Sequence, residues 1–570
     1  MQKLKNILFI IITIMLAVVI EAMTVTSLKE FNSLNNSVET LSSKSQSYRR
    51  DISLAEIAYT KKVTQRLRHM IFETPEETFK NINHREFIQE VYSKNNFMPL
   101  WFTPKGPKIH ALDDLFRTIG QDIMLDERGN IYKEYQYLKQ LFQGNNNRTL
   151  EQEMMLDMKL TSLYKSYLTF HLYGSIKWWN FQKDWVTYTP KYDISEMMLH
   201  YPLSQIVEAT TPSSFGYMRL LQELKRLKAI QHQGGWEKIP NSSQLRYGAA
   251  GSDVKLLINR LRSSGDYTCA PSSSDNQFGP CLLQAVKRFQ KRHGLYPSGT
   301  INRSTLNKIN LSVEWKINKV LLNLDRIKRL PDQEESRYIM VNIPDFRLYY
   351  KENGQERLSM RVIVGDQKHH TPVFSSEISY IVLNPYWIMP DSIVKKEMIP
   401  EMLKNPNFLA ERGYEVRMST KTNTPTIDTS KIDWAYILNS NQSKKYKFMQ
   451  PPGPQNALGK VKFKFPNNFH VYLHDTPNKK LFDKSQRDFS HGCIRVSKPY
   501  DLLNVFVKHE RFGYDQTQRI LSGTDETQLN LANRVPVHIV YLTAWVNSDG
   551  TVHYRNDIYR YDAKQTRVIY

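Results

Sequence analysis

The sequence predicts a multidomain α+β protein, with helices in its N-terminal half and a mixed β domain in its C-terminal half. At 570 residues the chain is too long for one ordinary hydrophobic core. Its apolar pattern has the helical period from about residue 57 to residue 239. After about residue 335 the pattern changes to the alternation that is typical of strands. Hydrophobic residues make up 40% of the chain, which excludes wholesale disorder.

The composition also narrows the classes of partner. The chain has 78 lysines and arginines against 56 acidic residues, a net charge of +22 that favours anionic partners. No zinc-finger or RNP pattern accompanies the charge and the lysines are scattered, so nucleic acid is not the expected partner. Three cysteines exclude a disulfide-dense scaffold and a four-cysteine zinc module.

The N-terminus predicts a membrane-targeting segment over residues 1–23. An apolar run, Ile7–Ile20, follows Lys3 and Lys5. The residues after the run place a branched side chain where a cleavage site needs a small one, which favours an uncleaved anchor over a signal peptide, although both remain open. Because the lysines stay on the cytoplasmic side, the bulk of the chain is expected to be exported. The polar residues 24–56 predict a tether.

Two helical regions follow. Residues 57–240 predict an all-α scaffold domain, and its aromatic residues are expected to be core residues because they lie within helical periodicity. The tryptophans in question are Trp101, Trp178, Trp179 and Trp185. Residues 245–310 predict a small helical module with two amphipathic helices separated by glycine turns. The glycine and apolar spacing of this module resembles that of peptidoglycan-binding domains.

The long loop of this module contains Cys269 and Cys281, with eleven residues between them. In an exported protein these two thiols can form a disulfide, and free thiols are the alternative. A connecting helix is predicted for residues 311–333, since its apolar pattern keeps the helical period.

Residues 335–562 predict the β domain. Asn353-Gly354 lies between two strand-like runs and indicates a hairpin with a type I′ turn. Further strands are predicted at the ranges Ile378–Leu383, Phe469–Leu473, Val537–Trp545 and Val552–Tyr561. Residues 387–460 are long for a connection and predict a lid insertion, with a helix near Lys395–Leu403.

The chemistry is expected at two segments near the C-terminus. In a strand running from Phe469 to His474, alternation places Tyr472 and His474 on the polar face. Eighteen residues separate His474 from Cys493, which lies in a polar loop with the order Ser490, His491, Gly492, Cys493, Ile494 and Arg495. A thiolate nucleophile needs a base or a positive neighbour, and these segments supply both.

Two other interpretations of the cysteine compete with the catalytic one. A buried, inert cysteine remains open, but the polar loop around Cys493 argues against it. A zinc site could use His474, His491 and Cys493, yet it lacks a fourth ligand, because Asp475 points to the other face of an ideal strand. We therefore expect no metal.

The H...SHGCIR signature, with His474 and Cys493 in its key positions, resembles that of the L,D-transpeptidases, which act on the bacterial cell wall. The segments VNIPDFRLYY, PPGPQNALG and YLHDTP extend the similarity over residues 335–562. The order of scaffold, wall-binding module and catalytic domain is similar to the large, membrane-anchored members of Gram-negative bacteria. The resemblance implies a mixed β-sandwich catalytic domain behind an inner-membrane anchor, located in the periplasm.

The resemblance also implies roles for residues. Cys493 is the nucleophile, and His474 is the general base, with its ring oriented by the backbone carbonyl of Asp475. His491 supports the site, and the amides of Gly492 and Cys493 form the oxyanion hole. The expected substrate-binding residues are Arg495, Ser490, Tyr472 and Trp387.

The implied reaction is 3→3 cross-linking of peptidoglycan, with release of D-alanine from a tetrapeptide stem and no metal or organic cofactor. The expected partners are donor and acceptor stem peptides, the inner membrane and cell-wall synthases. Two alternatives stay open: a thiol hydrolase of the carboxypeptidase type, in which water is the acceptor, and a non-catalytic peptidoglycan-binding adaptor. Attachment of a lipoprotein instead of a second stem is a variant of the first reaction.

Overall fold

The computed structural model describes residues 54–143, 148–271, 276–331, 335–440 and 442–565. The predicted anchor and all but the last residues of the tether lie outside them. Within the described ranges, no helix combines the length and the apolar character that crossing a membrane requires.

The chain divides into two units. The first contains residues 1–108 and 148–157, and the second contains residues 109–147 and 158–570. The described part of the first unit contains three complete α-helices, α1 (Leu54–Arg68), α2 (Pro75–Thr78) and α3 (Arg85–Lys94), and a two-stranded ribbon, β1 (Phe102–Thr103) and β2 (Gly106–Pro107). It also contains a π-helical turn (His69–Glu73), a 3₁₀ turn (Phe79–Asn81) and the first turns of a helix that begins at Leu150.

The second unit begins with helices, as the sequence predicts. They are α4 (Ile109–Gln121), α5 (Asn130–Leu141), α6 (Leu150–Tyr173, whose first turns belong to the first unit), α7 (Ile194–His200), α8 (Leu203–Thr210) and α9 (Tyr217–His232). Trp101, Trp178 and Trp185 are buried, but Trp179 is exposed, so its assignment to the core is wrong. Trp178 and Trp185 lie in the core of the C-terminal β domain, where Trp185 forms a bridge to Val373.

A small helical module follows, with its own core of buried apolar residues. Its helices are α10 (Ser252–Ser263), α11 (Pro280–Arg292) and α12 (Arg303–Ile309). A disulfide joins Cys269 and Cys281, whose Cα atoms are 6.5 Å apart. The connecting helix α13 (Val313–Ile327) begins after Ser312, whose side chain accepts a hydrogen bond from the Trp315 amide and so caps the helix.

The β domain starts with four strands: β3 (Arg337–Asn342), β4 (Arg347–Glu352), β5 (Gln355–Gly365) and β6 (Phe374–Leu383). The first strand-like run of the sequence is interrupted, because a 3₁₀ turn at Ile343–Asp345 divides it into the antiparallel pair β3 and β4. Asn353 and Gly354 both have positive φ, as a type I′ turn between β4 and β5 requires.

The lid forms a subdomain with its own hydrophobic core. Its elements are β7 (Trp387–Ile388), α14 (Asp391–Ile393), a π-helical turn (Val394–Met398), α15 (Ile399–Lys404), α16 (Phe408–Glu411), β8 (Glu415–Arg417), α17 (Trp434–Asn439) and β9 (Lys447–Gln450). The expected helix is thus divided between the π-helical turn and α15. The three strands form a sheet in the order β7-β9-β8, which the sequence did not predict because each strand is only two to four residues long.

The chain then returns to the main sheet. The remaining elements are β10 (Val461–Lys464), β11 (Leu473–His474), β12 (Asp488–Ser490), β13 (Ile494–Val496), α18 (Pro499–Val507), α19 (Tyr514–Ser522), β14 (Thr527–Val540), β15 (Ala544–Val546), β16 (Val552–Tyr554) and α20 (Tyr561–Lys564). Over the described residues, nine strands pair in the order β12-β5-β13-β11-β10-β6-β14-β3-β4. Since β4 also pairs with β5, the sheet closes on itself around a large apolar core. The predicted fold class, a multidomain α+β protein, is confirmed.

Three strand predictions are wrong in extent. The strand expected from Phe469 shrinks to Leu473–His474, because His470 has a left-handed backbone with φ of 58°. The last two predicted strands are also shorter: the chain leaves β14 at Val540 and forms the hairpin β15–β16 before α20.

Candidate active site

The site is built on three neighbouring strands of the closed sheet. Strand β11 pairs with β10 on one side, with Lys462 opposite His474, and with β13 on the other side, with His474 opposite Arg495. Paired residues of neighbouring strands point to the same face of a sheet. The side chains of these three residues therefore share one face, and Leu473 and Ile494, buried in the core, lie on the other.

Cys493 immediately precedes β13 and extends this face. The Ile494 amide donates to the Tyr472 carbonyl at 3.0 Å, which holds Cys493 beside Tyr472. The Sγ atom lies 3.8 Å from the backbone carbonyl oxygen of His470, to which the thiol can donate. The left-handed backbone of His470 places that carbonyl, and the His470 side chain is exposed.

The protonation of Cys493 is set by opposing effects. Burial raises the pKa of the Cys493 thiol above its ordinary value. The amide and the hydroxyl of Tyr472 both donate to the sulfur, and Lys462 and Lys464 add positive charge nearby, all of which lower the pKa. Because burial is the largest of these influences, the resting thiol is protonated at neutral pH. The sequence-based expectation of a merely polar loop around the sulfur was therefore incomplete.

His474 is held in one orientation by its neighbour. Its Nδ1 atom lies 2.6 Å from the Asp475 carbonyl oxygen, so Nδ1 carries the hydrogen and Nε2 is left with a lone pair. Burial, with the charge of Arg495 as the second cause, lowers the pKa of His474 to about 3. The ring is therefore neutral at physiological pH.

The Asp475 carboxylate fixes the backbone that carries His474. It accepts hydrogen bonds from the amides of Thr476 and Lys460, at 2.7 and 3.0 Å, and pairs with Lys479. Gly459 passes so close that a Cβ atom there would lie 2.2 Å from a carboxylate oxygen, and its φ is 59°. Only glycine fits both conditions, so the end of the lid and the histidine strand are packed together at this position.

A tight turn presents the cysteine, and Ser490 organises it. The Ser490 hydroxyl donates to the Cys493 carbonyl at 2.5 Å and accepts from the Gly492 amide at 3.2 Å. Ser490 is buried and both of these hydrogen bonds lie within the turn, while its expected role in substrate binding stays a prediction. The Gly492 amide is likewise occupied, which removes it from the expected oxyanion hole. Among the described residues, no hydrogen bond uses the Cys493 amide.

Thr371, which the sequence analysis did not single out, braces the same turn. Its hydroxyl donates to the Gly492 carbonyl at 2.8 Å and accepts from the Gly365 amide at 2.8 Å. Gly492 has φ of 107°, a conformation that side chains disfavour, and this lets the chain reverse directly before the thiol.

His491 points away from the sulfur and toward the lid. Its Nε2 atom lies 2.6 Å from Glu397 Oε1 in the π-helical turn of the lid, and its ring lies 4.8 Å from that of His369. Trp387, expected at the substrate, packs in the lid with its ring centroid 6.2 Å from that of Tyr414. Among the described residues, both therefore make contacts with the lid, and their expected roles, support of the site for His491 and substrate binding for Trp387, stay predictions.

Two lysines that the sequence analysis missed complete the face. The Nζ atoms of Lys462 and Lys464 lie 4.3 and 5.1 Å from the ring centroid of Tyr472. Burial, with the charge of Lys464 as the second cause, lowers the pKa of Lys462 to about 8. The alternation of β10, with Val461 and Phe463 buried, is the sequence signal that could have placed both lysines outside the core.

The arrangement can perform acyl transfer. It offers a nucleophilic sulfur, a neutral imidazole with a free ring nitrogen on the same face, an unused backbone amide at the sulfur and three cations. Within the described ranges, no group of three or more His, Cys, Asp or Glu residues could hold a metal ion.

Comparison with known proteins places this site in a family context. A model of the L,D-transpeptidase catalytic domain matches residues 336–510, a model of a scaffold domain matches residues 86–224, and a peptidoglycan-binding domain model matches residues 250–309. A Haemophilus influenzae protein provisionally named L,D-transpeptidase is 34% identical over 350 residues, which cover 60% of this chain and 69% of that protein.

Solved L,D-transpeptidase structures share less sequence. The structure from Stackebrandtia nassauensis is 14% identical, with 55% of this chain and 98% of that chain covered and a TM-score of 0.20. The structure from Xylanimonas cellulosilytica is 16% identical, with 53% and 100% covered and a TM-score of 0.17. For the Mycobacterium smegmatis structure, 11% identical with a TM-score of 0.17, the match covers 36% of this chain and 58% of that one.

Proposed function

The chain belongs to the L,D-transpeptidase family, and from this premise we propose that it forms 3→3 cross-links in peptidoglycan by acyl transfer through Cys493. The observation that carries the proposal is the shared sheet face of Cys493, Tyr472 and His474 next to a turn braced by buried hydrogen bonds. The peptidoglycan-binding domain at residues 250–309 supports the wall polymer as the partner.

In the first step the sulfur attacks the carbonyl that joins the diamino acid of a tetrapeptide stem to its terminal D-alanine. The His474 Nε2 atom accepts the thiol proton, since its Nδ1–H is committed to the Asp475 carbonyl. The Cys493 amide is the donor available to the oxyanion. D-alanine leaves with the proton from His474, and a thioester remains on Cys493.

In the second step the side-chain amine of another stem gives up a proton to His474 and attacks the thioester. The amide forms, the sulfur departs and regains its proton, and no ATP is needed because the thioester conserves the energy of the broken peptide bond. Tyr472, which donates to the sulfur through both its amide and its hydroxyl, stabilises the thiolate whenever it forms.

We further propose that the enzyme is exported to the periplasm, with residues 1–23 as its inner-membrane anchor. The apolar run behind two lysines supports this location. An anchored enzyme with a wall-binding module is placed to work beside cell-wall synthases on newly made peptidoglycan.

The test is incubation of the protein with disaccharide tetrapeptide and mass analysis of the products. We expect dimers linked between two diamino acids in the wild type and none with Cys493→Ala, whose folding is checked by circular dichroism. Dimers that persist in Cys493→Ala would refute the nucleophile. Tripeptide without dimer would show that water is the acceptor, and no product at all would favour the adaptor.

A further inference from the structure

Three cations surround the thiol without an ion-pair partner. Over the described part of the chain, no carboxylate lies within ion-pair distance of Lys462, Lys464 or Arg495. The Arg495 Nε atom is buried and has no hydrogen-bond partner. Glu526 acts on Lys462 from a greater distance, and one of its carboxylate oxygens accepts the Tyr386 amide at 2.9 Å.

The register explains why the three cations converge. Lys462 lies opposite His474, and His474 lies opposite Arg495, so one row of the sheet carries a cation on each side of the histidine. Continuing the register, Lys464 falls beside Tyr472, whose ring it approaches at 5.1 Å. Cys493 lies at the centre, and its sulfur interacts electrostatically with all three cations.

Three like charges that lie close together and partly out of water raise the free energy of the protein unless an anion binds among them. Burial lowers the pKa of Lys462, of Lys464 and of Arg495, which means that the protein around them disfavours their charge. Buried charges in proteins are normally paired. An external anion would remove the mutual repulsion and fill the unused Arg495 donor.

We propose that Lys462, Lys464 and Arg495 form an anion site that takes the carboxylate of the leaving D-alanine. Only a nitrogen and a Cα atom separate that carboxylate from the scissile carbonyl, so the two carbons lie within ~4 Å of each other. A donor whose carbonyl contacts Cys493 Sγ thereby brings its carboxylate to the cations. The two lysines determine specificity for a stem that ends at its fourth residue.

The inference rests on the proposed function for the identity of the donor, but binding can test it without turnover. In Cys493→Ala protein we measure, by calorimetry, the affinity for a tetrapeptide ending in D-alanine and for the same peptide with a C-terminal carboxamide. Loss of a charge-assisted hydrogen bond corresponds to about a tenfold change. We expect the acid to bind about tenfold more tightly than the amide.

The lysines are then changed in the same background. Lys462→Met and Lys464→Met should each reduce the ratio of the two affinities, and the double variant, which keeps only Arg495, should reduce it further than either single variant. Lys462→Arg should retain the preference. The matched control is Lys351→Met, since Lys351 lies 5.7 Å from the Tyr338 ring in the same sheet and has no contact with the thiol region; it should leave the ratio unchanged.

Two results would overturn the inference: equal affinities for acid and amide in Cys493→Ala alone, or an undiminished preference in the double lysine variant. The second result together with slower alkylation of Cys493 in the double variant of the wild-type background would mean that the lysines serve the thiolate instead. Failure of the proposed function is distinguished by absence of both tripeptide and dimer from the wild-type assay, whatever the binding ratio.

Discussion

Two clusters of cations in the second unit have opposite surroundings: one is buried, and the other is partly exposed. On the connecting helix α13, Lys319 and Arg326 meet the Asp562 carboxylate at 2.6 and 2.8 Å, and the Thr543 hydroxyl joins them. Beside the thiol, no carboxylate of the described residues lies at such a distance from Lys462, Lys464 or Arg495. The first cluster is complete and holds α13 on the β domain, whereas the second is complete only when a ligand arrives.

The two clusters should differ in what depends on their charge: folding in the paired cluster, and binding in the unpaired one. A buried ion pair that loses one member leaves an unpaired charge behind, so the paired cluster should be sensitive to substitution in folding. The cations at the thiol are already unpaired, and their removal should affect binding and chemistry instead of stability.

Of the variants that keep Cys493, His474→Ala is expected to have the largest effect, and this effect is on the rate of acylation. Because the Nε2 atom of His474 is the proposed proton acceptor on the cationic face, His474→Ala should slow acylation of Cys493 by roughly 10²–10⁴. The rate is read from the mass of the acyl-enzyme over time. His470→Ala is the control and should have a mild effect, since only its backbone carbonyl reaches the sulfur. A greater loss in His470→Ala than in His474→Ala would mean that the base is misassigned.

The paired cluster should respond in folding. Arg326→Met removes a guanidinium that is 1% exposed, so the free energy of unfolding should fall by about 3–5 kcal/mol. Urea denaturation measures it, with Lys464→Met as the comparison, for which we expect little change. If the free energy of unfolding fell by a similar amount in both variants, the two clusters would not differ in their contribution to stability.

The pH dependence of donor preference should follow Lys462. Burial lowers the pKa of Lys462 to about 8, so its charge is present below pH 8 and lost above it. The preference for the carboxylate over the carboxamide donor, measured in Cys493→Ala, should therefore decline as the pH rises. Because the charge of Cys493 raises the pKa of Lys462, the decline in the alanine variant should begin at a lower pH than in the chain that keeps the thiol. The groups facing Lys462 are Lys464, His474, Cys493 and Glu526, and the alanine removes the thiol titration. A flat profile from pH 6.5 to 9.5 would contradict the expectation.

The smallest effect is expected at the lid. The side chains of His491 and Glu397 are 37% and 48% exposed, and ion pairs in contact with solvent contribute at most about 1 kcal/mol. Glu397→Gln should therefore change stability by less than about 1 kcal/mol and leave alkylation of Cys493 almost unchanged. Both are measured against the wild type, and a large drop in either would assign His491 a direct role at the sulfur.

Much of this organisation could be predicted from the sequence, because the helical and alternating periods fix the fold class and the H...SHGCIR signature identifies the family. The alternation also placed Tyr472 and His474 on one face, although most of their expected strand is a loop held by the Asn467 side chain.

The remaining parts of the site depend on contacts between distant segments. Lys462 and Lys464 reach the thiol only because β10 pairs with β11, and no local pattern contains that register. The occupation of the Gly492 amide by Ser490 and the bond from Thr371 are likewise properties of the folded turn. Hydrogen-bond geometry of this kind has no signature in residue order.

One side chain joins the two chain segments at the base of the lid. The side-chain amide of Asn456 donates to the carbonyls of Pro385, Gln450 and Pro451, each at 2.9 Å, and so ties the outgoing and returning chain together. An insertion whose two ends meet can be exchanged for a short loop without displacing the strands on either side. We therefore expect that the lid can be shortened or replaced while strands β6 and β10 on either side of it keep their pairing.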